Sequence, residues 1–155
     1  MSLQMRLVHF CMGLVPPLLQ SETATEQMAL HAPQPAPMPA RMRGRFTATC
    51  EKGVTRVFPK RGLRSGGALI YLHGGAYVYP MVVGQWGIVE GLIDRTGLPV
   101  IIPDYPLAPK HTVTEAFDFV QPIIDEAQAE FGRVVIFGDS AGGGLALSLA
   151  MQRRD

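Results

Sequence analysis

Gly138-Asp139-Ser140-Ala141-Gly142 places a serine between two glycines directly after the apolar run Val134-Val135-Ile136-Phe137. A serine at a strand-to-helix turn of this kind is an exposed nucleophile, a nucleophile elbow, and the chemistry it serves is acyl transfer. Glycine is needed at 138 and 142 because such a serine sits in a strained backbone conformation and larger neighbours would crowd the turn. Ala141 is small and opens the helical stretch that continues through Leu145-Ala146-Leu147-Ser148-Leu149-Ala150, so its N–H suits a developing oxyanion. His73-Gly74-Gly75-Ala76 is the second candidate. Two adjacent glycines let the chain turn its N–H groups toward an oxyanion, and each well-aimed donor is worth about 2.7–4 kcal/mol of transition-state stabilisation. Each motif alone has a plainer reading, a phosphate-binding turn or close packing for the first and an ordinary glycine turn for the second. Their order, and some sixty residues between them, favour the catalytic reading.

The elements that must hold these loops can be read from periodicity. Phe46–Cys50 and Val54–Phe58 are β-prone runs joined by Glu51-Lys52-Gly53, which predicts a hairpin. Ala68–Leu72 and Val100–Ile102 are continuous apolar runs, as expected of strands buried on both faces, and Val134–Phe137 forms the strand that delivers the serine. Val82, Trp86, Val89 and Ile93 recur at helical spacing, with Gly97 and Pro99 as stop signals. Thr112 and Glu115 form a capping box that opens a helix carrying Phe117, Val120, Ile124, Ala127 and Phe131 on one face, with a bend expected at Pro122 and an end at Gly132. Hairpin, strand, helix, strand, helix, strand and helix start, in that order, predict a mainly parallel sheet covered by helices. Upstream, Leu3, Leu7, Phe10 and Leu14 share a helical face, and Ala32–Pro39 alternates proline with small residues as a solvated, polyproline-like linker does. The chain therefore divides into a helix-plus-linker segment, 1–40, and a body, 41–155.

Composition narrows the function classes. With 155 residues, 47% hydrophobic, there is material for one ordinary core. A net charge of +1 supplies neither a basic face for nucleic acid nor a polybasic membrane patch. No apolar run reaches the length of a membrane span, so stable membrane insertion is not expected. Cys11 and Cys50 are too few and too far apart for a disulfide framework or zinc site; free thiols, a reducing compartment and a cytoplasmic location are expected, and no metal ligand set.

With these motifs in place, the chain resembles the hormone-sensitive-lipase-like branch of the α/β-hydrolases, whose oxyanion loop reads His-Gly-Gly-(Gly/Ala) and whose elbow reads Gly-Asp-Ser-Ala-Gly. His73–Ala76 and Gly138–Gly142 match both, and Asp104-Tyr105-Pro106-Leu107-Ala108-Pro109-Lys110-His111 resembles the family's Asp-Tyr-Arg-Leu-Ala-Pro-Glu-His segment. The resemblance covers roughly residues 45–155, and the N-terminal helix is similar to the family's cap helices. It implies an incomplete α/β-hydrolase fold with a mostly parallel sheet, an N-terminal antiparallel hairpin and flanking helices. It further implies Ser140 as nucleophile, the N–H groups of Gly74, Gly75 and Ala141 as oxyanion hole, His73 as an orienting residue of its loop, and Asp139 as an elbow residue that is not the triad acid. The implied substrate is a small carboxylic ester, and no cofactor is implied.

Pro106 stands where the family has arginine and Lys110 where it has glutamate, so the charge pair that braces this segment is absent. The family's triad acid and histidine follow the elbow helix, whereas this sequence ends at Asp155 with no histidine after Ser140. The expectation is a serine esterase lacking its acid and base, inactive or very weak alone. An alternative is a non-catalytic protein that binds an acyl ligand or pairs through an open sheet edge. The strand before Ser140 would lack a neighbour, which predicts self-association through that edge.

Overall fold

Two apolar runs, 68–72 and 100–103, need cover on both faces, and the fold supplies it. The computed structural model describes residues 34–153. Five strands, β1 (Phe46–Glu51), β2 (Val54–Pro59), β3 (Ala68–Leu72), β4 (Val100–Pro103) and β5 (Val134–Gly138), form one sheet in the order β1-β2-β4-β3-β5. The β1/β2 and β2/β4 pairs are antiparallel, and β3 pairs in parallel with both β4 and β5. Only β2 therefore opposes the common strand direction, and the sheet is mixed, the hairpin joining the parallel strands through β2.

Three helices cover the sheet: α1 (Trp86–Thr96), α2 (Val113–Phe131) and α3 (Ala141–Gln152). On one face Ile70, Leu72 and Ile101 pack with Val120 and Ile124 of α2 and Leu145 and Leu149 of α3. On the other, Leu69, Tyr71, Val100 and Ile102 pack with Trp86, Val89 and Ile93 of α1. The period-2 alternation of β3 and β4 sends successive side chains to these two cores. The Thr112 hydroxyl accepts the Glu115 N–H while Glu115 accepts the Thr112 N–H, at 3.3 and 2.7 Å, so the capping box forms as the spacing predicts. Gly97, at φ 70°, closes α1 by donating its N–H to Ile93 O at 2.7 Å.

Several expectations differ from what forms. Val82 lies before α1 in extended backbone and is 54% exposed, because a short 3-10 turn, Val83–Gln85, leads into the helix. The described part of the proline-rich stretch is not a solvated linker: Ala36 donates its N–H to Met81 O and accepts the Trp86 Nε1–H, and Ala36 and Met38 pack on the α1 core. Non-proline residues between the prolines keep their backbone groups, and these find partners on the body. The helix expected near residues 3–14 and the segment through 33 lie outside the described residues.

β5 is the one apolar run not buried on both faces. Val134 and Ile136 pack inward, while Val135 and Phe137 are 52% and 40% exposed on the opposite face. Among the described residues β5 is a sheet edge with no helix over that face.

Burial of this kind sets a clear contrast in mutational cost. Ile70→Ala, in the fully buried centre of β3, is expected to lower unfolding free energy by about 2–5 kcal/mol. Leu147→Ala, 64% exposed on α3, should change it by less than about 0.5 kcal/mol. Denaturant titration of the two variants measures both.

Candidate active site

The register Leu72↔Gly138 makes β3 and β5 end level, so the loops that leave them start side by side. Ser140 occupies the turn between β5 and α3 at φ 50° and ψ −121°, a left-handed backbone that a serine rarely adopts, with its side chain exposed. The flanking glycines are required by contact. A Cβ on Gly138 would overlap the backbone of Gly142, and one on Gly142 would overlap the carbonyls of Leu72 and His73. The elbow thus rests directly on the end of β3.

The second loop is fitted to the first. A Cβ on Gly74 would lie 2.9 Å from Asp139 O, and one on Gly75, at φ 141°, would overlap Tyr79 O. Ala76 and Tyr77 follow at φ 54° and 62°, so the loop carries left-handed backbone at three consecutive residues. Strain of this kind costs about 1–3 kcal/mol per residue and persists where surrounding contacts fix it.

Asp139 supplies much of that fixing. Its Oδ1 accepts the Tyr71 hydroxyl at 2.6 Å and the Gly74 N–H at 2.8 Å, and Gln85 Nε2 donates to Oδ2 at 3.1 Å. Burial alone would raise the Asp139 carboxyl, but the hydrogen bonds from Tyr71, Gly74 and Gln85 outweigh it and hold the group below its ordinary value. Burial first, then the bond to Asp139, pushes the Tyr71 phenol up, keeping it a neutral donor.

His73 is fully buried. Its Nδ1–H donates to Gly74 O at 2.9 Å, its ring stacks on Tyr105 at 4.5 Å, and its Nε2 has no partner among the described residues. Burial lowers its pKa, so the ring is neutral. The Tyr105 hydroxyl donates to His73 O at 2.5 Å. Tyr105 and the Ala108 N–H bond to Tyr77 O at 2.9 Å anchor the 104–111 segment, in place of the charge pair that Pro106 and Lys110 cannot form. His111 lies away from this cluster and pairs with Glu115 at 3.2 Å. Neither described histidine is bonded to Ser140.

The residues singled out from sequence, His73, Gly74, Gly75, Asp139, Ser140 and Ala141, thus belong to two loops in direct contact. One expected role changes: the Gly74 N–H is committed to Asp139, so it does not face open space as an oxyanion donor. The N–H groups of Gly75 and Ala141 have no recorded acceptor among the described residues. Sequence reading missed Tyr71, Gln85 and Tyr105. The available signals were a tyrosine inside the aliphatic run of β3 and the place of Tyr105 in the family-like 104–111 segment, whereas Gln85 carries no motif.

A serine nucleophile turn beside a glycine loop, at the carboxyl ends of parallel strands, defines the class of α/β hydrolases. The chain belongs to that family: the family model described as the alpha/beta hydrolase fold matches residues 69–155. Among curated proteins it is similar to LipR of Mycobacterium tuberculosis, which bears an acetyl-hydrolase name, at 40% identity over 106 residues, 66% of this chain and 34% of LipR. It is similar also to the carboxylesterase/phospholipase LipF of the same organism, at 40% identity over 91 residues, 57% of this chain and 24% of LipF. A crystal structure from Staphylococcus aureus superposes with TM-score 0.77 at 21% identity, covering 92% of this chain and 50% of that one, a likeness of fold. The chain spans about a third or less of the curated relatives' length.

Two outcomes follow from this packing. Gly142→Ala forces a methyl group into main-chain carbonyls that cannot give way, so it is expected to destabilise by about 1–3 kcal/mol or more, whereas Gly87→Ala, with open space at its Cβ, is expected to be neutral or stabilising; paired thermal melts compare them. His73 stays neutral when folded and charges in the unfolded chain below about pH 6.5. The unfolded state then binds more protons, so the stability it confers is complete above that pH and is lost as pH falls below it. Denaturation midpoints between pH 7.5 and 5 should show this slope, and His73→Gln should flatten it.

Proposed function

We propose that this chain carries the nucleophile and oxyanion half of a serine hydrolase acting on small carboxylic esters. In this reading Ser140 attacks the ester carbonyl, and the N–H groups of Gly75 and Ala141 receive the oxyanion, with Gly74 and Asp139 holding their loops together. His73 orients its loop. The hydrolase domain comprises 41–155, preceded by a cap segment, and acts in the cytoplasm. The observation that carries the reading is the left-handed Ser140 turn seated on the glycine loop. The names of LipR and LipF support the ester substrate.

Neither described histidine is placed to take the serine proton, since His73 is buried and His111 is bonded to Glu115, so the reading requires a base other than these two. The test is hydrolysis of p-nitrophenyl butyrate by this chain joined to the part of LipF that follows the 91 matched residues. Ser140-dependent turnover is expected, with Ser140→Ala lowering it by about a millionfold. The 155-residue chain alone should match that variant. Equal activity of the joined protein and its Ser140→Ala variant contradicts the reading.

The exposed edge favours a second, compatible property. Val135 and Phe137 on β5, with Leu147 and Met151 on α3, are each at least 40% exposed, beside strand groups that β3 leaves unpaired. Such an edge templates pairing with another chain. Sedimentation of the isolated chain is expected to show concentration-dependent self-association that Val135→Lys abolishes. A monomer at all concentrations contradicts it.

A further inference from the structure

Gln85 is outside both motifs, yet its side-chain amide reaches both loops. Its Oε1 accepts the Val82 N–H at 2.8 Å, just before α1, which fixes the orientation of the amide and turns Nε2 toward the site. Nε2 donates to Asp139 Oδ2 at 3.1 Å and lies 3.3 Å from both Asp139 Oδ1 and Gly74 O. One half-buried amide therefore connects the start of α1, the loop after β3 and the turn after β5.

The peptide plane between Gly74 and Gly75 makes this contact consequential. In a trans peptide the carbonyl of one residue and the N–H of the next point in opposite directions from the same rigid plane. The Gly74 carbonyl is held from one side by Gln85 Nε2 and His73 Nδ1. Its partner in the plane, the Gly75 N–H, must then face the other way and has no acceptor among the described residues. The Gly74 N–H, on the preceding plane, is fastened to Asp139.

We propose that Gln85 is a positioning residue that aims the Gly75 N–H, by holding the Gly74 carbonyl and the Asp139 carboxylate at once. The amide does not touch substrate; it sets the direction of a donor that would. The role rests on the ester-hydrolase reading for its catalytic meaning, but the geometry it asserts exists whether or not the chain is an enzyme. The ionisable groups that face Asp139 are Tyr71 and His73 from β3 and its loop and Tyr105 from the segment after β4. The two phenols stay neutral where a carboxylate titrates, burial favours the neutral form of His73, and the neighbouring Asp104 carboxyl couples to His73; the Gly74 N–H, bonded to Asp139 itself, is therefore the reporter of that carboxylate.

The experiment is amide NMR of the 155-residue chain titrated with acid. In the unaltered protein the Gly74 backbone N–H and the Gln85 side-chain NH₂ resonances are expected to move with one common midpoint, that of Asp139. Gln85→Met, similar in size but without donors, should raise that midpoint, shift the Gly75 amide resonance and speed Gly74 amide exchange about tenfold, as loss of one charge-assisted hydrogen bond does. A folded Gln85→Met protein with unchanged midpoint and exchange overturns the proposal. Should that variant not fold, the unaltered protein still decides it: Gln85 NH₂ resonances that ignore the Asp139 titration overturn it, and a shared midpoint upholds it. In the protein joined to the LipF segment, Gln85→Met should lower kcat with KM unchanged. Absence of any hydrolysis there speaks against the ester-hydrolase reading alone, because the NMR outcome does not depend on turnover.

Discussion

The parallel register that sets Leu72 opposite Gly138 is the constraint on which the site depends. Adjacent strands in a sheet lie about 4.8 Å apart, so two chains leaving level strand ends must either diverge or pack backbone on backbone. Here they pack. Gly142 meets the carbonyls of Leu72 and His73, and Gly74 meets Asp139, contacts that no larger residue permits. A one-residue slip of β5 would turn Val134 and Ile136 out of the α2/α3 core and carry the serine turn away from the glycine loop. The same hydrophobic pattern that builds the core therefore fixes the placement of the chemistry.

Strain and its compensation are found in the same few residues. Ser140, Gly75, Ala76 and Tyr77 all have positive φ, and the three non-glycine residues among them are the costly ones. Opposing that cost is a carboxylate with three donors, from Tyr71, Gly74 and Gln85. Hydrogen bonds to an ionised group are the strong ones, about twice a neutral bond. His73 and Tyr105 add a stacked pair that bonds the backbone of the glycine loop through His73 Nδ1 and the Tyr105 hydroxyl. On the proposed reading the arrangement is preorganised, with donors aimed before a substrate arrives, the condition under which they lower a barrier.

Much of this was legible in sequence, for identifiable reasons. β3 and β4 are apolar at every position because both faces are covered, and the α2 capping box is a local device that Thr112 and Glu115 complete without help. The two glycine motifs could be read because their glycines answer backbone demands that no other residue meets. What escaped was non-local. Gln85 and Asp139 are 54 positions apart and joined by side chains, and nothing in the chain between them signals the pairing. The family's charge pair is absent at Pro106 and Lys110, and Tyr105 anchors the segment through His73 instead. Val134–Phe137 is apolar throughout, yet Val135 and Phe137 are exposed; an apolar run states what a strand can bury, not what is there to bury it.

The direct test of the account is a crystal structure of this chain, joined to the same LipF segment as in the hydrolysis experiment, after reaction with an alkyl phosphonate, whose tetrahedral phosphorus stands in for the intermediate of ester hydrolysis. The account predicts a covalent bond from Ser140 Oγ to phosphorus, with the phosphonyl oxygen about 2.7–3.1 Å from the N–H nitrogens of Gly75 and Ala141 and the Gly74 N–H still on Asp139. A phosphonyl oxygen turned away from Gly75 and Ala141, or an adduct on another residue, would contradict it.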